Sequence, residues 1–173
     1  MKKGWLFAMV ILSACHTQDN KAISEVYLTQ TEGRGKKIGE VQFSDSPQGL
    51  LIDVNLHDLP PGEHGFHIHE NASCAAAEDE NGNLQPALAA GGHYDPEHTG
   101  KHLGPHGHGH LGDLPALNVS ADGSVNTSFY LPQLTVDKIK NRSIVIHAGG
   151  DNYSDTPKPL GGGGARIACG LVQ

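Results

Sequence analysis

Twelve of the 173 residues are histidine, against a single Trp, and their spacing is ordered rather than scattered. In Gly65-Phe66-His67-Ile68-His69 two imidazoles stand two residues apart, so on an extended strand both leave the face opposite Phe66 and Ile68. One face then enters a core and the other can hold a metal ion. Such a pair is common on a solvated strand, and its weight comes from the rest of the set. His93 lies in Gly91-Gly92-His93-Tyr94-Asp95-Pro96, His102 follows Gly100-Lys101, His110 and Asp113 share the run His110-Leu111-Gly112-Asp113, and His147 ends Ile144-Val145-Ile146. The donors divide into two sites. His102, His110 and Asp113, joined by His93, offer three imidazoles and a carboxylate, a closed tetrahedral shell of the kind a structural zinc requires. His67, His69 and His147, again with His93, offer four nitrogens, the set a tetragonal copper(II) prefers.

The other histidines read differently. His64 is expected to be a structural residue bonded to backbone, and His16, His57 and His98 have no organised neighbours. His106 and His108, in Pro105-His106-Gly107-His108-Gly109-His110, exceed the needs of two sites. A short His tract can capture an auxiliary metal, although a solvated loop is the commoner outcome.

The ligand candidates need rigid carriers, and the apolar pattern supplies strands. Period-two alternation marks Val26 and Leu28, Val41 and Phe43, Leu50 through Leu56, Phe66 and Ile68, Leu117 and Val119, Val125 through Leu131, Ile144 and Ile146, and finally Ile167, Cys169 and Leu171. That is about eight strands, with a helical turn or two at most over Leu134 to Lys140. An all-β sandwich or barrel is the expected packing. Aromatics are only 5% while Gly (23) and Pro (10) are plentiful, so turns are frequent and the core relies on Val, Ile and Leu. Two long polar stretches, Asn71 to Asp113 and Gly149 to Gly164, break the strand rhythm, and loops of this length in a compact domain are usually functional. The length suits one domain. A net charge of -7 argues against a nucleic-acid partner, which would need a basic face, and a charged fraction of 18% is too low for a disordered polyelectrolyte.

The N-terminus carries a different chemistry. Lys2 and Lys3 precede the apolar run from Trp5 to Leu12, which reads as an export signal over residues 1–14 and is too short to span a bilayer. Leu12-Ser13-Ala14-Cys15 resembles the lipobox of bacterial lipoproteins, in which the cysteine thiol takes a diacylglycerol and becomes the mature N-terminus. Residues 15–22 would then be a tether and 23–173 the folded domain. Loss of Lys2 and Lys3 lowers the formal charge from -7 to -9. His16, rather than Asp, follows the lipidated position, which points to the periplasm and the outer more than the inner membrane. With Cys15 lipidated, Cys74 and Cys169 remain; an oxidising compartment lets them pair, and two buried thiols are the alternative. A bond across so long a loop is worth at most about 4 to 5 kcal/mol on chain-entropy grounds.

Five segments together resemble the bacterial copper,zinc superoxide dismutases, lipoprotein-type, in order and spacing over residues 23 to 173. They are His64 to Glu70, Gly91 to Pro96, Gly109 to Pro115, His147 to Asn152 and Gly161 to Gly170. The resemblance implies an eight-stranded Greek-key sandwich or barrel with two long functional loops. It implies dismutation of superoxide to dioxygen and hydrogen peroxide with copper and zinc as cofactors. Copper falls to His67, His69, His93 and His147, zinc to His93, His102, His110 and Asp113. His93 would bridge the ions as an imidazolate and carry a proton in turnover. Asp151, four residues after His147, would bond ligands of both metals, although it also reads as a plain turn residue. Arg166 would attract and orient the anion at the copper channel, with pairing to a loop carboxylate as its bland alternative. Because an acidic chain repels an anion at long range, a local positive field has to dominate there, with Lys101 or Lys158 as helpers. A noncatalytic copper- or zinc-binding lipoprotein on the same fold is the rival reading, disfavoured by Arg166. The oligomeric state stays open between monomer and homodimer, and the membrane is engaged through the lipid anchor.

Overall fold

The structure, a computed structural model, describes residues 20–173. The signal segment, Cys15, His16 and the tether up to residue 19 lie outside the described residues. Seven strands form one antiparallel sheet in the order β5-β10-β11-β1-β2-β3-β9. In chain order they are β1 (Lys21–Leu28), β2 (Lys37–Ser46), β3 (Gly49–Leu56), β5 (Phe66–His69), β9 (Val125–Leu131), β10 (Ser143–His147) and β11 (Arg166–Leu171). A short strand β4 (Gly62–His64) runs into β5 across Gly65 and pairs with β8 (Leu117–Val119), which lies against β9, so the sheet curls towards closure. The connections from β3 to β4 and from β9 to β10 cross between non-neighbouring strands, which is Greek-key topology. The protein is all-β, and all eight expected strands are present.

Three features differ from expectation. A small hairpin, β6 (Ala77–Glu78) and β7 (Leu84–Gln85), lies inside the first long loop. β1 starts at Lys21, two residues ahead of the expected boundary, because Ala22, Ser24 and Val26 already form its buried face. In β11 the expected face is inverted at Cys169. Ala168 enters the core, whereas Cys169 packs outside it with Val145, Ala87 and Ala90. Ile146 pairs with Ala168 and His147 with Arg166, so a bulge resets the alternation at Ile167, and periodicity cannot count across a bulge.

The core is aliphatic as expected: Phe43 and Phe66 are its fully buried aromatics, set among Ile38, Leu50, Ile52, Leu56, Ile68, Leu117 and Leu131. Burying a side chain of this size contributes about 1.5 to 3 kcal/mol. The one α-helical turn among the described residues, α1 (Val136–Ile139), tucks Val136 and Ile139 inward within the stretch where it was expected. A disulfide joins Cys74 in the first loop to Cys169 on β11, with Cα atoms 5.8 Å apart and a sequence separation of 95. The free edge of β5 is covered by that same loop. The Ile68 N–H donates to the Gly112 carbonyl, Tyr94 N–H to Ile68 and Leu114 N–H to Phe66, so the loop behaves as a further strand at this edge.

Candidate metal centre

Sheet register aligns three of the histidines. All four residues of β5 are buried, Phe66 and Ile68 in the core and His67 and His69 under the loops. β10 runs antiparallel with Val145 opposite His67, and its last residue, His147, donates its N–H to the Gly65 carbonyl. The loop supplies the others through two isolated bridges, His93 against His69 and Asp113 against His67. The rings of His67 and His93 stack with centroids 3.9 Å apart.

Hydrogen bonds to one ring nitrogen decide what the other can do. His69 Nδ1 lies 3.0 Å from the Gly91 carbonyl and His147 Nδ1 lies 3.2 Å from the Gly164 carbonyl. A carbonyl only accepts, so both Nδ1 atoms carry the proton and both Nε2 atoms keep a lone pair. Those two Nε2 atoms face each other at 3.4 Å. His67 Nε2 is 2.7 Å from Asp151 Oδ2, which leaves His67 Nδ1 as a lone pair, and that atom is buried without a partner. His93 Nδ1 is 3.0 Å from Asp113 Oδ1, freeing its Nε2. His67, His69, His93 and His147 each contribute one ligand atom to a group lying within 4.8 Å of one another. Converging lone pairs with no proton between them call for a cation.

The second set is built around a carboxylate. His102 Nε2 is 2.7 Å from Asp151 Oδ1, which turns His102 Nδ1 towards Asp113 Oδ2 at 3.0 Å, outside hydrogen-bonding alignment. His110 Nδ1, also buried without a partner, stands 3.6 Å from Asp113 Oδ1. The tightest group here joins His102, His93 and Asp113 to His67, with His110 approaching from its edge. Asp151 therefore touches one histidine of each set. Gly161 (φ +69°) is what lets it do so, because a Cβ there would run into Asp151 Oδ1 and lie 2.8 Å from His102 Nε2.

Electrostatics separate the two sets. Burial lowers the basicity of His67 and, well below its ordinary range, of His69; it brings His93 down to about 4 against the opposing pull of Asp113. Burial and then the neighbouring His67 bring His147 down to about 3. For His102 burial is outweighed by the carboxylates of Asp113 and Asp151, and its pKa rises to about 9. Burial works to raise the carboxyls of Asp113 and Asp151, but their histidine partners, His102 foremost, hold both well below the usual carboxylate range.

Arg166 starts β11 beside His147. Its guanidinium donates to three carbonyls, Ala87 (2.7 Å), Leu88 (3.2 Å) and Gly91 (2.7 Å), and not to a carboxylate. The disulfide straps the same loop to β11, so the arginine is held by its own covalently fixed frame. His64 is buried between the carbonyls of His147 (2.7 Å) and Pro60 (2.8 Å), the structural role expected for it. His57 pairs with Asp58, and His98, His106 and His108 are exposed. Lys101 is exposed, its carbonyl accepting from His110 N–H, and Lys158 lies along Gly162 just before Gly163 packs on His147. Four supporting residues had no motif to reveal them. Asp155 accepts the His102 N–H at 2.9 Å, Glu63 accepts the Asp151 N–H at 3.3 Å, the Tyr153 hydroxyl accepts the Ala116 N–H at 2.9 Å, and the Thr29 hydroxyl donates to the Arg166 carbonyl at 2.6 Å.

Comparison with known proteins adds a family. Residues 37–172 match the family described as copper/zinc superoxide dismutase. The chain is 49% identical over its whole length, and that of its relative, to the superoxide dismutase [Cu-Zn] of Brucella abortus. The solved copper/zinc enzyme from Brucella abortus superposes with a TM-score of 0.86 at 52% identity, covering 89% of this chain and 100% of that one. The solution structure of the monomeric enzyme from Salmonella enterica gives 0.78 at 48%, with the same coverage.

Proposed function

This chain belongs to the copper/zinc superoxide dismutase family, and from that premise we propose the roles of its residues and its place in the cell. The activity follows from the family: the protein is an oxidoreductase that converts two superoxide ions and two protons to dioxygen and hydrogen peroxide, with copper and zinc as cofactors. The observation that carries the residue roles is the convergence of proton-free ring nitrogens. Four of them, on His67, His69, His93 and His147, suit copper. The Nδ1 atoms of His102 and His110 around Asp113, joined by that of His93 once it gives up the proton it shares with Asp113, suit a closed tetrahedral zinc. When bound, copper supplies a one-electron couple beside the fixed positive charge of zinc.

The protein's own groups do the rest. The Arg166 guanidinium attracts superoxide and orients it beside the set containing His147; its three carbonyl partners fix its direction without neutralising it. Lys158, on the loop that packs on His147, extends the positive field, and Lys101 is the more remote helper. When it is not serving as a ligand, His93 Nε2 would take up a proton and deliver it to the reduced oxygen, while Asp113 keeps Nδ1 oriented. Asp151 holds one imidazole of each set in a single tautomer, so the two halves keep a common geometry. A storage protein on this fold would need the histidines but not an unpaired arginine facing them, and that favours turnover.

The protein acts outside the cytoplasm, anchored through a lipid on Cys15 after removal of residues 1–14, in the periplasm and on the outer membrane. The lipobox, the basic start of the leader and the disulfide support this reading. The deciding experiment measures copper, zinc and superoxide consumption on one purified sample, with a Cys15→Ser variant in parallel. The expected result is one copper and one zinc per chain, rapid dismutation, and loss of membrane partition in Cys15→Ser alone. Full metal loading without turnover would favour the storage reading, and a processed variant still in the membrane would remove the anchor.

A further inference from the structure

The place where the tether enters the fold is specific. Asn20 donates to Asp137 of α1 at 2.9 Å, receives the Lys140 ammonium at 3.0 Å, and its carbonyl accepts the Asp45 N–H, so the chain enters the barrel beside α1. Lys21, Lys138, Lys140 and Arg142 gather at this end, because β1 begins here and β10 starts just after Arg142. The acids packed with them are Asp45, which accepts the Val136 N–H at 2.8 Å, and Asp137, which takes the Asn20 amide and stands 4.0 Å from the Lys140 ammonium, so two carboxylates offset part of a cluster of four cations. Lys138 donates to the Gln133 carbonyl at 2.7 Å, an arrangement that holds the ammonium without cancelling its charge.

The Arg166 end is the opposite end of the same sheet. β1 is eight residues long, and at its far end Leu28 pairs with Ala168 while the Thr29 hydroxyl donates to the Arg166 carbonyl. A strand of that length rises about 23 Å. The five residue-to-residue steps from Cys15 to Asn20 reach at most about 18 Å when fully extended. Asp58, Asp122 and Glu63 lie towards the Arg166 end, around Gly123 and Gly150, and the lysines there are paired with carboxylates, Lys36 with Asp58 and Lys37 with Glu25. An acidic domain on so short a leash meets an anionic membrane at least cost through its least acidic end.

We infer that the end formed by Lys21, Lys138, Lys140 and Arg142 docks on anionic phospholipid headgroups and holds the Arg166 mouth towards the aqueous phase. This rests on the reading of Cys15 as the lipid anchor. Each lysine near such a surface favours binding by roughly fivefold, and the attraction fades within a Debye length, so the tether and the charges act together. The consequence is functional: superoxide, a small anion, meets the copper channel from the water side rather than from the membrane.

Lysine footprinting of the intact, lipidated and metal-loaded protein tests this. The protein is bound to phosphatidylglycerol-rich or to phosphatidylcholine vesicles, recovered by flotation, acylated with a neutral water-soluble reagent and read by mass spectrometry. Acylation of Lys21, Lys138 and Lys140 should be several-fold slower on the anionic vesicles, while Lys36 and Lys37, at the opposite end, keep the same rate on both. The Lys138→Glu/Lys140→Glu double variant should still float, with full metal content, and lose the protection at Lys21. Flotation with equal labelling on both vesicles, protection at Lys36 and Lys37, or protection of Lys21 unaltered by the double variant would each overturn the docking and leave the anchor standing. Failure to float on either vesicle would remove the anchor and the docking with it.

Discussion

The strand-borne histidines and the loop-borne zinc candidates share His93, yet they are built by opposite means. His67, His69 and His147 are placed by the β5 and β10 registers; backbone carbonyls orient the rings of His69 and His147, and the Asp151 carboxylate orients that of His67. Burial also keeps their imidazoles neutral. His102, His110 and Asp113 belong to the long loop and face one another with a carboxylate among imidazole nitrogens, an arrangement that needs a proton or a metal ion to be stable. With the proposed roles, the sheet would offer copper a preformed frame, whereas the loop set would gain more from its zinc.

The sharpest way to break this comparison is to remove one ligand from each set. His147→Ala should bring dismutation down to that of the metal-free protein and abolish the copper(II) electron paramagnetic resonance signal, with zinc content retained. Asp113→Ala should lose zinc first and lower the thermal midpoint, because a tightly held ion at a thousandfold excess over its Kd contributes about 4 kcal/mol. Parallel loss of both metals in both variants would show that the division is wrong.

A smaller effect is expected where the sets are joined. Asp151→Asn keeps the shape but replaces one carboxylate acceptor by an amide donor, so His67 and His102 can no longer both be served. Affinity for both metals should fall about 10- to 100-fold in competition with a chelator. Gly161→Ala should do likewise through the clash with Asp151. An effect of Asp151→Asn confined to one metal would mean that the two halves are not coupled through it.

Arg166→Glu tests the strand side without touching a ligand. It should lower kcat/KM by about tenfold or more at low salt with metal content unchanged. Added salt should slow the unaltered protein and narrow the gap, since screening acts over about 8 Å at physiological strength. Wild-type rates with the same salt dependence would show that the arginine does not steer.

The subtlest test is the pH dependence of the metal-free, disulfide-bonded protein. His93 and His147, with folded pKa values of about 4 and 3, stay neutral when the unfolded chain takes up protons near 6.5. The unfolded state then binds more protons, so stability falls as the pH drops from about 6.5 towards 3. His102 works in the other direction. Its folded pKa of about 9 means the folded state binds the extra proton, so its contribution is complete below 6.5 and is lost as the pH rises through 9. The depressed carboxyls of Asp113 and Asp151 add a further loss below their ordinary range, as falling pH protonates them. Urea midpoints measured from pH 4 to 9.5 should therefore peak near neutrality. His102→Gln should flatten the alkaline arm and His147→Gln the acid arm; arms unaffected by these changes would refute the assignment.

What the sequence by itself determined is whatever depends on local period and donor chemistry. Period two in Phe66-His67-Ile68-His69 separates the face of Phe66 and Ile68, which enters the core, from the face of the two histidines, whose burial comes only from the loops laid over it. The donor types of His93, His102, His110 and Asp113 suggest a metal set from sequence alone, and the structure gathers His93, His102 and Asp113 with His67 while His110 stands 3.6 Å from Asp113. The phase of β11 was not legible, because a bulge at Ile167 moves Cys169 off the expected face and no periodicity counts across it. Nor were Asp155, Glu63, Tyr153 and Thr29, which act through single hydrogen bonds to partners 37 to 137 residues away. Only the tertiary structure decided which nitrogen of each histidine is proton-free, since a tautomer is set by whatever backbone carbonyl or carboxylate the fold brings to the opposite side of the ring.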